Sequence, residues 1–61
     1  MVNIEKDDEI EIVQMVDEPH YNGRIGKVLF IDSIGQLHGT WGGLAVIPEQ
    51  DEIKIIKKKG Q

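Results

Sequence analysis

The side chains able to do chemistry at neutral pH are few in this 61-residue chain: two histidines, one serine, one tyrosine and no cysteine. Their spacing builds no catalytic set. Ser33 falls in a turn-forming stretch with no histidine at a recognisable motif distance, and there is no thiol to act as nucleophile. Carboxylates abound, but nothing around them suggests an enclosed site that would raise one pKa for acid–base work. Gly23 and Gly26 lead into a strand pattern rather than a helix, so they do not form a phosphate-binding loop. His20 and His38, without cysteines or carboxylates at ligand spacing, make no metal site. No catalytic residue, metal or cofactor is expected, and the chain reads as a non-enzyme.

What remains is binding chemistry. Tyr21 sits in a polar loop beside His20, Asn22 and Arg24, where an aromatic ring can stack on a base or grip a peptide. A lone tyrosine serves equally often to close a loop over a core. Arg24 and Lys27 flank the glycine pair and offer cationic contacts, although isolated exposed charges are commonly just solvated. His38 occupies a polar position of an alternating strand, suited to an anion contact or to ordinary cross-strand pairing. The expected binding residues are therefore His20, Tyr21, Arg24, Lys27 and His38. Trp41 shares a strand face with Leu37 and reads as core or rim packing.

Charge narrows the partners. Residues 1–18 carry seven acids against Lys6, residues 54–61 carry four lysines and no acid, and the whole chain is at −4. An acidic protein is repelled by phosphate backbones, which disfavours nucleic acid without excluding it. The basic end, Lys57 to Lys59, reads as a solvated, fraying tail. A protein partner is the leading expectation, through the loop from Pro19 to Arg24 and the nearby strand faces. The alternative is a nucleic-acid contact through Tyr21, Arg24, Lys27 and the Lys57–Lys59 tail. A third is an assembly subunit docking by a sheet edge. The longest apolar runs are four residues, far below the ~20 that span a bilayer. No membrane association is expected, the location expected is cytoplasmic, and the chain is expected to be a monomer or weak homodimer.

The elements that must position these residues are strands. With 39% hydrophobic residues the composition is globular, and 61 residues permit one domain. Its ordered core is expected over about 6–56 and a charged tail over 57–61. No stretch keeps apolar residues at helical spacing for three turns. Glu9-Ile10-Glu11-Ile12 alternates and runs on through Val16, and the doubled Ile12-Val13 signals two-sided burial or a bulge. A long loop, Asp17 to Gly26, follows. Lys27 to Ile31 is the second strand, with Val28 and Phe30 on one face. Asp32 to Gly35 turns into Gln36–Trp41, Gly42-Gly43 turns into Leu44–Ile47, Pro48 to Asp51 makes one helical turn, and Ile53–Ile56 closes the chain. Five short strands, a long first loop and a helical turn before the last strand predict an all-β, SH3-like five-stranded barrel, a closure that removes exposed edges.

The stretch Asn22 to Asp32, with Gly23, Gly26, Val28 and a terminal Ile31-Asp32, resembles the KOW motif of ribosomal proteins and transcription elongation factors. Across nearly the whole chain, from Lys6 to Ile56, the sequence is similar to a bacterial family of small SH3-like domains of unknown function, often encoded on plasmids, phages and other mobile elements. The residues that carry this are Asp8 to Ile12, Gly26-Lys27-Val28, Ile34 to His38, Trp41, Leu44 to Pro48, Asp51 and Ile55-Ile56. The chain departs from that family in having only Gly42-Gly43 between Trp41 and Leu44, where a longer polar turn is usual. The resemblance implies an SH3-like fold and, through the KOW-like stretch, a loop used for RNA or protein contact. It implies no activity.

Overall fold

Alternation in the first strand segment produces its burial directly. In the computed structural model, which describes residues 4–60, β1 (Glu9–Gln14) turns Ile10 and Ile12 fully inward and leaves Glu9 and Glu11 half-buried on the other face. It pairs antiparallel with β2 (Ile25–Ile31) on one side and β4 (Glu52–Lys57) on the other, and β3 (Leu37–Gly39) lies beyond β2. The four strands make one sheet in the order β3-β2-β1-β4. First and last strands are thus neighbours. The core is Ile10, Ile12, Met15, Val28, Leu37, Trp41 and Val46, backed by Ile4, Tyr21, Ile53 and Ile55.

Two of the three register shifts in the sheet explain departures from the expected alternation. Ile12 pairs with Ile53 and Gln14 with Glu52, so Val13 is the extra residue and turns outward, resolving the doubled Ile12-Val13 as a bulge. In β2, Val28 pairs with Gly39 but Phe30 pairs with His38, which leaves Leu29 as the extra residue. That one-residue slip moves Phe30 off the face of Val28. Val28 is 0% exposed and Phe30 is 52% exposed, so the expected shared face of Val28 and Phe30 is corrected by the bulge.

Trp41 packs against both β2 and β3. Its ring lies over Gly39 and Gly26: a Cβ on Gly39 would fall inside the indole and on the Lys27 carbonyl, and one on Gly26 would sit 3.2 Å from the ring. Only glycine lets the ring approach two strands this closely. The Leu44–Ile47 segment contributes a single bridge, Val46 to Leu37, with both backbone bonds at 2.8 Å. Its flanking backbone groups are taken by side chains. Trp41 Nε1 donates to the Leu44 carbonyl at 2.8 Å, and the Ile47 amide donates to Asp51 Oδ2 at 2.9 Å. With those groups occupied the ladder cannot extend, so four strands form one sheet that is not closed, in place of the expected five-stranded barrel. The helical turn expected at Pro48 to Asp51 is a turn closed onto the Ile47 carbonyl by the amides of Gln50 and Asp51. The chain's short 3₁₀ helix lies instead in the first loop, at Pro19–Tyr21.

Two buried carboxylates tie the ends of the sheet. Asp51 Oδ1 accepts from the Val16 amide at 3.0 Å, joining the end of β1 to the start of β4. Asp8 is fully buried and accepts from the Glu5 amide at 2.8 Å, the Lys59 amide at 2.8 Å and Lys58 Nζ at 2.7 Å. Lys58 and Lys59 are therefore clasped onto the start of β1, which corrects the expectation of a fraying end from Lys57 onward.

Candidate functional site

The five residues singled out in the sequence fall into three separate places. His20 stands on the 3₁₀ helix with its side chain 84% exposed, and its Nδ1 lies 4.0 Å from Glu18 Oε1, the outer limit of an ion pair. The loop behind it is built by one side-chain bond and two main-chain bonds. Asn22 Oδ1 accepts from the Met15 amide at 2.8 Å, and Gly23 and Arg24 bond back to Ile12. Tyr21 and Arg24 then use each other: the Arg24 guanidinium lies 4.0 Å from the centre of the Tyr21 ring, and its Nη1 donates to the Trp41 carbonyl at 2.8 Å. The Tyr21 ring edge also occupies the space where a Gly42 side chain would begin. The pair fastens the first loop to the Trp41–Gly42 turn.

His38 belongs to the β2–β3 hairpin. Its ring stacks on Phe30 with centroids 4.3 Å apart and planes within 5° of parallel. Its Nε2 donates to Asp32 Oδ2 at 2.8 Å. Asp32 Oδ1 meanwhile accepts from the amides of Ile34 (3.1 Å) and Gln36 (2.9 Å), and the Asp32 carbonyl accepts from Gly35, whose φ is +84°. The imidazole contact first, then the turn amides, hold the Asp32 carboxyl below the usual carboxylate range. Around this fixed turn, Leu29, Phe30, Ile31 and Ile34 are all exposed, Ile34 to 72%. Sequence patterning missed Phe30 because the bulge that exposes it leaves no local mark. Asp32 carried a signal, since aspartate opening a turn commonly bonds amides two to four residues on.

Lys27 lies apart from the other four. Cross-strand register places it beside Glu9, and Glu9 beside Lys57, in one row across β2, β1 and β4. Asp7, Lys58, Lys59 and Gly60 complete the walls of an open cavity of about 390 Å³. The clasp at Asp8 holds one wall in place. The Lys58 ammonium, ahead of the opposing effect of burial, and the two backbone amides pull the Asp8 carboxyl down to about 2, and the Lys58 amine is raised in return. No local pattern could have found this clasp, because its partners are 50 and 51 residues apart.

Among the described residues, no group of three or more histidines, aspartates or glutamates is placed to hold a metal ion, and no helix is long and apolar enough to cross a membrane. The fold and its surfaces define a small all-β domain of four antiparallel strands. The chain belongs to the family described as a domain of unknown function, DUF4314, whose model matches residues 5–56. No curated protein and no solved structure matches it.

Proposed function

We propose that this chain is a non-enzymatic interaction module of SH3-like plan that docks a protein partner through its β2–β3 hairpin. The long first loop, the adjacency of β1 and β4, and the Val46 bridge beyond β3 support the SH3-like reading. One observation carries the docking surface. Leu29, Phe30, Ile31 and Ile34 lie exposed in a stretch, residues 28–48, that has one formal charge, Asp32, in a chain that is 30% charged. Exposed apolar residues concentrated in one hairpin, with an aromatic among them and little charge around them, suit a protein interface. The loop from Pro19 to Arg24 is a weaker surface than the sequence implied, because Tyr21 and Arg24 are engaged with each other and with Trp41.

A photo-crosslinking residue at Ile34, with one at His20 as comparator, tests this in cells expressing the protein. A discrete adduct from Ile34 that Phe30→Ala abolishes supports the hairpin. An adduct from His20 alone, or no adduct from either position, removes it. Nucleic-acid contact through Tyr21, Arg24, Lys27 and the Lys57–Lys59 segment is the second reading. Its support is the gathering of Lys27 with Lys57, Lys58 and Lys59 on one cavity, while Tyr21 and Arg24 lie in a different cluster. It predicts oligonucleotide binding that weakens steeply with salt.

A further inference from the structure

The cavity between β2, β4 and the clasped C-terminal segment goes beyond the docking surface, and we propose that it is a binding site for a compact phosphorylated ligand, from pyrophosphate to a mononucleotide in size. Four of the chain's seven cationic side chains line it, in a protein whose net charge is −4. Lys58 is committed to Asp8 and Glu5. Lys27, Lys57 and Lys59 make no ion pair within the described residues, although Glu9 stands in register between the first two. In the lining these three lysines outnumber the carboxylates of Asp7 and Glu9, so the concavity attracts an anion.

The volume of about 390 Å³ lies in the range of small-ligand sites. The ligand class follows from the lining. All the cations are lysines, which act as point charges on phosphate, and there is no guanidinium fork to recognise a planar carboxylate. Asp7 and Glu9 in the same walls, with Glu5 and Glu11 nearby in sequence, oppose a long polyanion. The same two carboxylates can accept hydrogen bonds from hydroxyl or amino groups on the organic part of a small phosphate ester. The site is also preorganised: the Asp8 bonds to Lys58 Nζ and the Lys59 amide fix the wall that carries Lys59 and Gly60 before any ligand arrives.

The test is an amide ¹⁵N–¹H NMR titration of the full chain with inorganic pyrophosphate, with a mononucleoside diphosphate, and with a single-stranded oligonucleotide lacking terminal phosphate. Sodium chloride at matched ionic strength is the control. The proposal expects saturable shifts at Asp7, Glu9, Lys27, Lys57, Lys59 and Gly60 with the first two ligands. It expects Lys57→Gln and Lys27→Gln each to weaken binding about fivefold. Both side chains are exposed and outside the clasp, so these variants remain folded, as their spectra will report directly. Shifts that chloride reproduces, or binding unchanged in both variants, overturn the site. Oligonucleotide binding tighter than pyrophosphate overturns the compact ligand in favour of the nucleic-acid reading.

Discussion

Replacing Asp8 by asparagine tests the physical account of how the sheet is closed. The carboxylate is fully buried and accepts from two backbone amides and one ammonium. Its pKa falls from 3.8 to about 2, a shift of nearly two units. At 1.36 kcal/mol per unit this represents about 2 kcal/mol of stability from ionisation. The asparagine side chain would keep the shape but turn an amide NH₂ toward donors, leaving at least one of them unsatisfied, so the total cost at neutral pH is about 2–4 kcal/mol. For a domain of this size that lowers Tm by roughly 15–30 °C. The sign of the pH dependence is equally specific. The folded pKa is depressed, so the stabilisation is complete above the unfolded value and is lost as pH falls through the folded one. The gap between wild type and Asp8→Asn therefore narrows between about pH 5 and pH 2. The low pKa of Asp32 also contributes acid sensitivity, but it is common to both proteins and cancels in the comparison. Thermal unfolding followed by Trp41 fluorescence and far-UV circular dichroism measures both quantities. Lys58→Gln, which removes only a partly exposed head group, should cost less than Asp8→Asn. A Tm for Asp8→Asn within about 2 °C of wild type at neutral pH, or a gap that stays constant into acid, refutes the reasoning.

Gly39→Ala places a methyl inside the Trp41 ring and against the Lys27 carbonyl, so it should cost about 1–3 kcal/mol and shift Trp41 emission as the ring is displaced; denaturant unfolding with an unchanged midpoint would show that the ring has room to move. Arg24→Ala removes the bond to the Trp41 carbonyl and the stacking on Tyr21, so it should destabilise by about 1–2 kcal/mol and shift the amides of Tyr21 and Gly42. Unmoved Gly42 and Tyr21 resonances would mean that the first loop is held by its backbone alone.

Much of the sheet was legible in the sequence because alternation is a local signal. Ile10, Ile12, Val28, Leu37 and Trp41 all take the buried positions that their spacing assigned. The doubled Ile12-Val13 broke the polar–apolar alternation and so signalled two-sided burial or a bulge, of which the structure shows the bulge. The Leu29 bulge left no such mark: Val28-Leu29-Phe30-Ile31 is apolar throughout, so no polar residue reveals the slip that sends Phe30 outward. The run from Leu44 to Ile47 looks like a strand by composition, but side chains of Trp41 and Asp51 compete for its backbone groups and win. Among the candidate site residues, type was informative and destination was not. Tyr21 and Arg24 found each other, whereas Lys27 joined residues thirty positions away, a distance over which no local pattern carries information.

The Asp8 clasp and the pairing of Glu9 with Lys57 also decide how the domain answers to a pulling force. β1 and β4 are antiparallel, and the beginning of one meets the end of the other, so tension applied through residues 5 and 60 acts across the ladder rather than along it. The hydrogen bonds are then loaded one pair at a time, beginning at Asp8–Lys58, and part in sequence instead of sharing the load. A domain strung this way between two anchors opens at low force, as a zipper does, whereas the same sheet gripped at the β2–β3 hairpin is not loaded along that seam.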